Sequence, residues 1–505
     1  MKRWLFGLLL FGVASRAFAQ DSAPRAQTVT LQDCIQQALE KNLELRIERY
    51  NPELSLYNLR AAYGAYDPTL GASGQHNYSK AGTTLFQGSI PLPGQETHTD
   101  TLNGSLGGLL PWGMTYELSA RLSDTDGTRF DFDTNTLSSV ARPFSTTRGT
   151  VGIDVTQPLL KNFWLNPTRL NISILKNRVQ WSEAALRQRI MDLITRVEFA
   201  YYDLIAAREQ VKVQQQAVQL AERLLEENRK RVQVGTMAPL DEQQAEAQAA
   251  ARRADLIAAQ RNAAVAENAL KQLLTDNFAE LSAVSFEPSE PLDAPRELFD
   301  LQDSWSKALN LRPELQQARL DLERQGIQVK INRNALYPQI DLRVGGGYAG
   351  SRNEFSGVFG DIERLEQPFY YFGGQMSYPL GNRTARNQYR ASKAQWDVAQ
   401  LALKKLEQDI MIQVDNDIKL AQANYERVAA TRKAREYAEA ALAAEQKKLE
   451  SGKSTTFFVL RLQSDLTAAQ SDEIAALVQY RRALAQLARD EGTTLERHGI
   501  TLDIK

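Results

Sequence analysis

The chain has 505 residues, enough for two or three ordinary domains, and its 60 Lys+Arg nearly cancel its 61 Asp+Glu. That balance carries no basic excess for nucleic acid. One Cys and three His leave Cys34 without an intramolecular disulfide partner or a thiolate zinc cage, and His76, His98 and His498 stand far apart with no ligand-like interval. No catalytic, metal or cofactor site is therefore expected, although a carboxylate- or Lys-based enzyme stays open. A mean hydropathy of −0.41 excludes a bundle of membrane helices. It does not exclude membrane strands, in which only alternate residues need be apolar.

Lys2 and Arg3 precede an apolar run from Trp4 to Ala14, and Ala17-Phe18-Ala19 forms an A-x-A cleavage site. This pattern reads as a secretory signal peptide over residues 1–19. A transmembrane anchor would need about 18 apolar residues. Cys34 has no lipobox before it and is expected inside a helix.

Beyond the leader, the chain repeats itself. Leu31-Gln32-Asp33 recurs as Leu301-Gln302-Asp303. In one unbroken register Ala38-Leu39 matches Ala308-Leu309, Glu44-Leu45 matches Glu314-Leu315, and Pro68 matches Pro338. Gln157-Pro158-Leu159 resembles Tyr378-Pro379-Leu380, and Val234-Gly235-Thr236 resembles Ser451-Gly452-Lys453. Each half reads helix, strands, long helix, Gly turn, helix, as an internal duplication does. The first repeat covers 20–278, with helix 31–66, strands within 68–159, long helix 166–234 and return helix 239–275. A polar linker with Pro288, Pro291 and Pro295 covers 279–300 and is expected at the equator of a rod. The second repeat covers 301–505, with helix 301–336, strands within 338–380, long helix 382–451 and return helix 455–491.

Pro167 is the only Pro between Asn166 and Val234, and Gly is absent there. Pro in a first turn is favourable, so the stretch predicts one helix of roughly 100 Å at 1.5 Å per residue. Ile190, Val197, Leu204, Val211, Val218, Leu225 and Val232 recur every seventh residue, which implies a left-handed supercoil. Val414, Ala421, Val428, Leu442 and Leu449 give the second long helix a similar seam. Two shorter helices end to end would match one long helix, which predicts a rod.

Strict alternation marks the strands. Met114, Tyr116, Leu118, Ala120 and Leu122 alternate with polar residues, as do Val151, Ile153 and Val155, then Ile340, Leu342 and Val344, then Met376, Tyr378 and Leu380. Strands are expected near 68–79, 99–109, 114–124 and 148–159 in the first half and near 338–349 and 373–380 in the second. The stretches 80–98 and 125–147 are expected as external loops. The lengths suit tilted outer-membrane strands. Apolar residues would then face lipid, and Glu117, Arg121, Asp154, Asp341 and Arg343 a watery lumen. Trp112, Tyr116, Phe163, Trp164 and Tyr370 suit an interfacial girdle. A periplasmic sandwich with one wet face would share this alternation. Six strands cannot close an open pore alone, so several copies must share one barrel.

The duplicated halves, the Val234-Gly235-Thr236 turn followed by Asp241, the Gln157-Pro158-Leu159-Leu160 strand end, and Gly452 followed by Phe458-Val459-Leu460, Gln463 and Leu466 together resemble the TolC family of outer membrane efflux proteins. The resemblance implies a mainly α fold with a β-barrel part: antiparallel coiled-coil helices forming a periplasmic tunnel, and a shared outer-membrane barrel in a homotrimer. It implies a passive export channel working with a periplasmic adaptor and an inner-membrane pump, in tripartite efflux or type I secretion. Val234, Gly235, Thr236, Ser451, Gly452 and Lys453 would be adaptor-docking tips, and Asp241, Phe458 and Arg461 the candidate entrance constriction. The acidic entrance residues of the family's best-known member are replaced here by Phe458 and Arg461, which predicts a Phe or Arg constriction. An Arg ring would favour anions; a solvated or salt-bridged Arg461 is the plainer alternative. The family's usual pattern has two strands per half, whereas the first half here reads as four. That raises the shared barrel from twelve strands to eighteen, unless 99–124 is an elaborated external loop.

The competing reading is a trimeric structural or adhesive coiled coil anchored in the outer membrane. It would need one terminal strand cluster, whereas each half here carries its own. A secreted enzyme is the weakest reading, because long Ala-rich helices offer no pocket and carboxylates such as Asp415 and Asp417 suit a solvated helix face.

Overall fold

The computed structural model describes residues 25–86, 90–133, 136 and 138–501; the expected signal peptide, 1–19, lies outside the described residues. In chain order the elements are β1 (Arg25–Val29), α1 (Leu31–Lys41), α2 (Leu43–Tyr63), β2 (Thr69–Lys80), β3 (Thr84–Phe86), β4 (Ile90–Leu92), β5 (Glu96–Leu109), β6 (Thr115–Asp133) and β7 (Ser138–Pro158). There follow α3 (Pro167–Gln233), α4 (Pro239–Leu274), α5 (Phe278–Leu281), β8 (Val284–Pro288), α6 (Leu301–Leu311) and α7 (Pro313–Asn334). The chain ends with β9 (Gln339–Arg352), α8 (Phe355–Glu363), β10 (Gln367–Ser377), α9 (Arg383–Glu450), α10 (Thr456–Glu491) and α11 (Thr494–Arg497).

The compact units do not follow the two repeats. One gathers residues up to Arg46, Ile190–Ser304 and Val414–Thr501; the other gathers Ile47–Arg189 and Trp305–Gln413. Each unit takes pieces of both halves.

The first unit is helical apart from β1 and β8, which pair in parallel from Arg25↔Val284 to Val29↔Pro288. The expected 279–300 linker is therefore partly a strand, and β8 ties the linker to the start of the described chain. Thr30 closes a capping box with Asp33 at the start of α1, satisfying helix-end donors reciprocally. The heptad seam supplies the core: Ile190, Val197, Leu204, Val218 and Leu225 of α3 are buried, as are Val414, Ala421, Val428, Leu442 and Leu449 of α9. Tyr201 is fully buried and its hydroxyl donates to Val29 O at 3.2 Å. Cys34 is free and buried in α1. Burial, with Asp33 and Glu290 nearby, pushes its thiol up to about 12, which keeps it protonated and unreactive. Glu198, which is buried, pairs directly with the half-buried His498.

The expected continuous helices 31–66 and 301–336 are each broken in two. At Asn42 the backbone turns extended (φ −62°, ψ 121°), and its side chain accepts from Leu45 N at 3.0 Å and donates to Leu273 O at 3.0 Å. At Arg312 the dihedrals repeat, φ −66° and ψ 123°. Pro313 causes that break, since proline disfavours helical geometry in the residue before it. Asn42 reaches the same geometry by capping the next helix.

The second unit carries a six-stranded sheet in the order β10-β9-β7-β6-β5-β2. Every neighbouring pair is antiparallel. β7 pairs with β9, joining the strands of the two repeats. The expected external loop 125–147 is a correction: β6 runs to Asp133 and β7 begins at Ser138, so most of it is a long hairpin. The stretch 80–98 likewise contains the short β3–β4 pair and the first residues of β5. The last strand begins at Gln367 rather than 373 and stops at Ser377. The connection before it holds α8, whose Val358 is fully buried and whose Asp361 accepts a bidentate pair from Arg352 at 2.7–3.0 Å.

Candidate functional site

The two Gly turns are built alike. α3 ends with Gly235 at φ +76°, Gly235 N donating to Val232 O at 3.0 Å and Thr236 N to Arg231 O at 2.9 Å. α9 ends with Gly452 at φ +71°, Gly452 N donating to Leu449 O at 3.1 Å and Lys453 N to Lys448 O at 2.8 Å. This double bond about a left-handed residue is the Schellman helix stop. Glycine is needed there because a Cβ strains the left-handed region. Nothing lies within 4 Å of where either Cβ would stand, so the requirement is conformational and not steric.

The structure brings the turns together. Arg231 Nη1 donates to Leu449 O at 3.4 Å, and Thr456 Oγ1 contacts Met237 Sδ at 3.9 Å. Below them Leu224 packs with Ala438, Leu442, Leu449, Val459 and Leu466. Ala221 and Leu225 pack with Ala245 and Ala249 on the return helix α4, where small residues let helices approach closely. Val234, Gly235, Thr236, Ser451, Gly452 and Lys453 are all exposed. Counted from each Gly, Asp241 and Phe458 hold the same position in the two turns. Asp241 is half-buried in the first turn of α4, where a carboxylate meets the positive helix end. Phe458 is exposed and stacks edge-on with Phe457 at 5.7 Å between centroids. Arg461 lies one helical turn on, exposed and without an ion-pair partner among the described residues.

The second feature is the sheet. Glu117 stands opposite Asp154, Arg121 opposite Thr150, Thr156 opposite Arg343, and Pro158 opposite Asp341. The alternation of a strand then places Glu117, Arg121, Asp154, Asp341 and Arg343 on one face. Two carboxylates directly opposed, as Glu117 and Asp154 are, repel unless water screens them. The other face carries exposed apolar residues on all six strands: Leu70, Leu106, Leu118, Ile153, Val344 and Phe372. One wet face and one bare apolar face suit a wall between water and lipid.

Sequence reading missed three features. His76 and His98, far apart in the chain, stand on adjacent strands with ring centroids 5.8 Å apart, and His76 Nδ1 lies 2.7 Å from Asp100. The β2–β5 register, His76↔Asp100 and Tyr78↔His98, is what joins them. No group of three or more potential ligands able to hold a metal occurs among the described residues. The second feature is a seam on α2, where Leu43, Ile47, Tyr50, Leu54 and Tyr57 are 50–68% exposed. Their spacing of four and three was legible and is that of a coiled-coil contact. The third is α8, which lies between the two strands expected in the second half.

Comparisons with known proteins agree with this architecture. The profile of the family described as outer membrane efflux protein matches residues 133–275 and 305–492. The chain is 26% identical over 421 residues to the outer membrane efflux protein BepC of Brucella suis, covering 79% of this chain and 86% of that protein. Among solved structures it is similar to the outer membrane protein VceC of Vibrio cholerae, with a TM-score of 0.66, 18% identity and coverage of 92% and 96%. It is also similar to the MtrE outer membrane channel of Neisseria gonorrhoeae, with a TM-score of 0.64, 18% identity and coverage of 94% and 90%. The fold is thus TolC-like, long helices joined to a strand region, and the structural or adhesive coiled coil finds no support. Taken with the paired helix turns and the two-faced sheet, these matches make the chain a member of the outer membrane efflux protein family, an export channel of the outer membrane.

Proposed function

We propose that the chain is one of three identical subunits of a passive conduit, which joins a periplasmic adaptor and an inner-membrane pump to the cell exterior. The observation that carries the partner reading is the pair of bare helix turns. Gly235 and Gly452 end two long helices with the same geometry, lie side by side, and present exposed residues that none of the described residues covers. Adaptor docking belongs at Val234, Gly235, Thr236, Ser451, Gly452 and Lys453. The entrance constriction belongs just inside, at Asp241, Phe458 and Arg461. The apolar sheet face meets lipid, and Glu117, Arg121, Asp154, Asp341 and Arg343 line the lumen.

The three-copy assembly is supported by the α2 seam, exposed in the single chain and spaced to meet another helix. Opening needs no chemistry. Coiled helices with two discrete packings can untwist at their ends, and the flexible Gly turns are where such motion would start.

Photo-crosslinking tests the docking reading. A photoreactive residue at Val234 or Ser451 should trap a periplasmic coiled-coil adaptor in cells, whereas the same residue at Lys404 on α9 should not. Equal trapping from all three positions would contradict docking at the turns.

A further inference from the structure

We propose that the barrel shared by three copies has eighteen strands, six from each, with β5 and β6 as wall strands and β10 of one copy hydrogen-bonded to β2 of the next. The proposal rests on the three-copy reading above.

Four observations carry it. The first is continuity. β5 and β6 are not a flap beside the sheet: the ladder passes without a break from β2 through β5 and β6 to β7, with Thr69↔Gly107, Gly107↔Glu117 and Glu117↔Asp154 in one line. The second is chemistry. The β5–β6 hairpin repeats the two faces of the wall, with Leu102, Leu106 and Leu118 bare on the apolar side and Asn103, Ser119 and Arg121 on the polar side. A hairpin standing in water outside the bilayer would have no use for that apolar side.

The third observation is anchoring. The β5–β6 turn is fixed to the root of the long helix α3. Trp164 N donates to Trp112 O at 3.2 Å, and Asn166 Nδ2 donates to Pro111 O at 2.8 Å. Gly113 sits in the turn at φ +91°, and a Cβ there would stand 2.4 Å from Asn162 O. The hairpin therefore begins where the other wall strands meet the helices.

The fourth is the pair of edges. β10 and β2 each have a neighbour on one side only. They are nearly equal in length, Gln367–Ser377 and Thr69–Lys80, and exposed along almost all of it. Five antiparallel steps separate them, so they run in opposite directions. Successive copies in a ring can thus join β10 to β2 antiparallel, which closes the barrel and removes both edges. Since barrel diameter grows roughly linearly with strand number, eighteen strands make a wall about 1.5-fold wider than twelve, with about twice the cross-section.

Thiol bridging in assembled full-length protein tests this, in a Cys34→Ala background with a short bis-methanethiosulfonate. Arg121→Cys with Thr150→Cys, opposed on β6 and β7, should bridge within one chain. Gly373→Cys combined in turn with Gly71→Cys, Ser73→Cys or Gln75→Cys should bridge between chains and give a three-chain ladder in at least one combination. Ser73→Cys with Gly152→Cys, which would meet only if β2 lay directly against β7, should give no product. Bridging of that last pair, with the chain-to-chain ladder retained, would overturn the eighteen-strand wall and leave the three-copy conduit standing. Loss of every chain-to-chain bridge, with Arg121→Cys/Thr150→Cys still joined, would overturn the shared barrel itself and the proposal with it.

Discussion

The double substitution Ile47→Glu and Leu54→Glu should abolish assembly and leave a folded single chain. Both side chains are exposed, at 68% and 56%, so the change removes little packing within the subunit. Both lie on the α2 seam with Leu43, Tyr50 and Tyr57, where seven-residue spacing aligns them along one line of the helix. If that line is covered by a neighbouring copy, each lost side chain forfeits about 1.5–3 kcal/mol of apolar burial. The introduced carboxylates would also be desolvated, at a further cost of several kcal/mol each. The penalty recurs at every contact of the ring. Light scattering in detergent should show a single-chain mass with unchanged helical circular dichroism. A three-chain mass retained by the variant would show that the seam is not an interface.

Arg461→Asp should reverse the ion preference of the open channel. Arg461 is exposed, unpaired among the described residues and one turn from Phe458 on α10. Three copies would place three guanidinium groups about the entrance, and the substitution replaces three positive charges with three negative ones. Charge rings at a constriction set the sign of the permeant ion. The reversal potential in a salt gradient should therefore shift from anion-favouring toward cation-favouring, by more at low salt than at high salt because screening weakens the field. An unchanged reversal potential would return Arg461 to the role of a solvated helix residue.

Much of the fold was legible because the strongest periodicities were long. The α3 seam from Ile190 to Leu225 became core, and the alternation from Met114 to Leu122 became a strand of the six-stranded sheet. Local breaks were harder to see. The split at Arg312 was written in Pro313, but the matching position of the first repeat is Leu43, so the proline signal stands in one repeat only. The split at Asn42 has a weaker local signal, an Asn capping the next helix through Leu45 N, and a tertiary bond to Leu273 O reinforces it. The loop 125–147 hid strand because Asp, Thr and Ser dominate it; its pairing comes from register, Asp124↔Thr147 through Asp133↔Ser138, and not from apolar alternation. His76 and His98 met for the same reason. The Gly turns were legible as helix stops because glycine at a helix end has one principal use, whereas their nearness to one another depended on packing between hairpins.

If the assembled protein is a water-filled conduit closed at its helix ends, disrupting those ends should open it. Single-channel recording in planar bilayers tests this most directly, comparing the native protein with a variant carrying Gly235→Pro and Gly452→Pro to disrupt the turns. The native protein should show small, brief currents and the variant large, sustained ones. Absence of any conductance from correctly assembled variant protein would contradict the account.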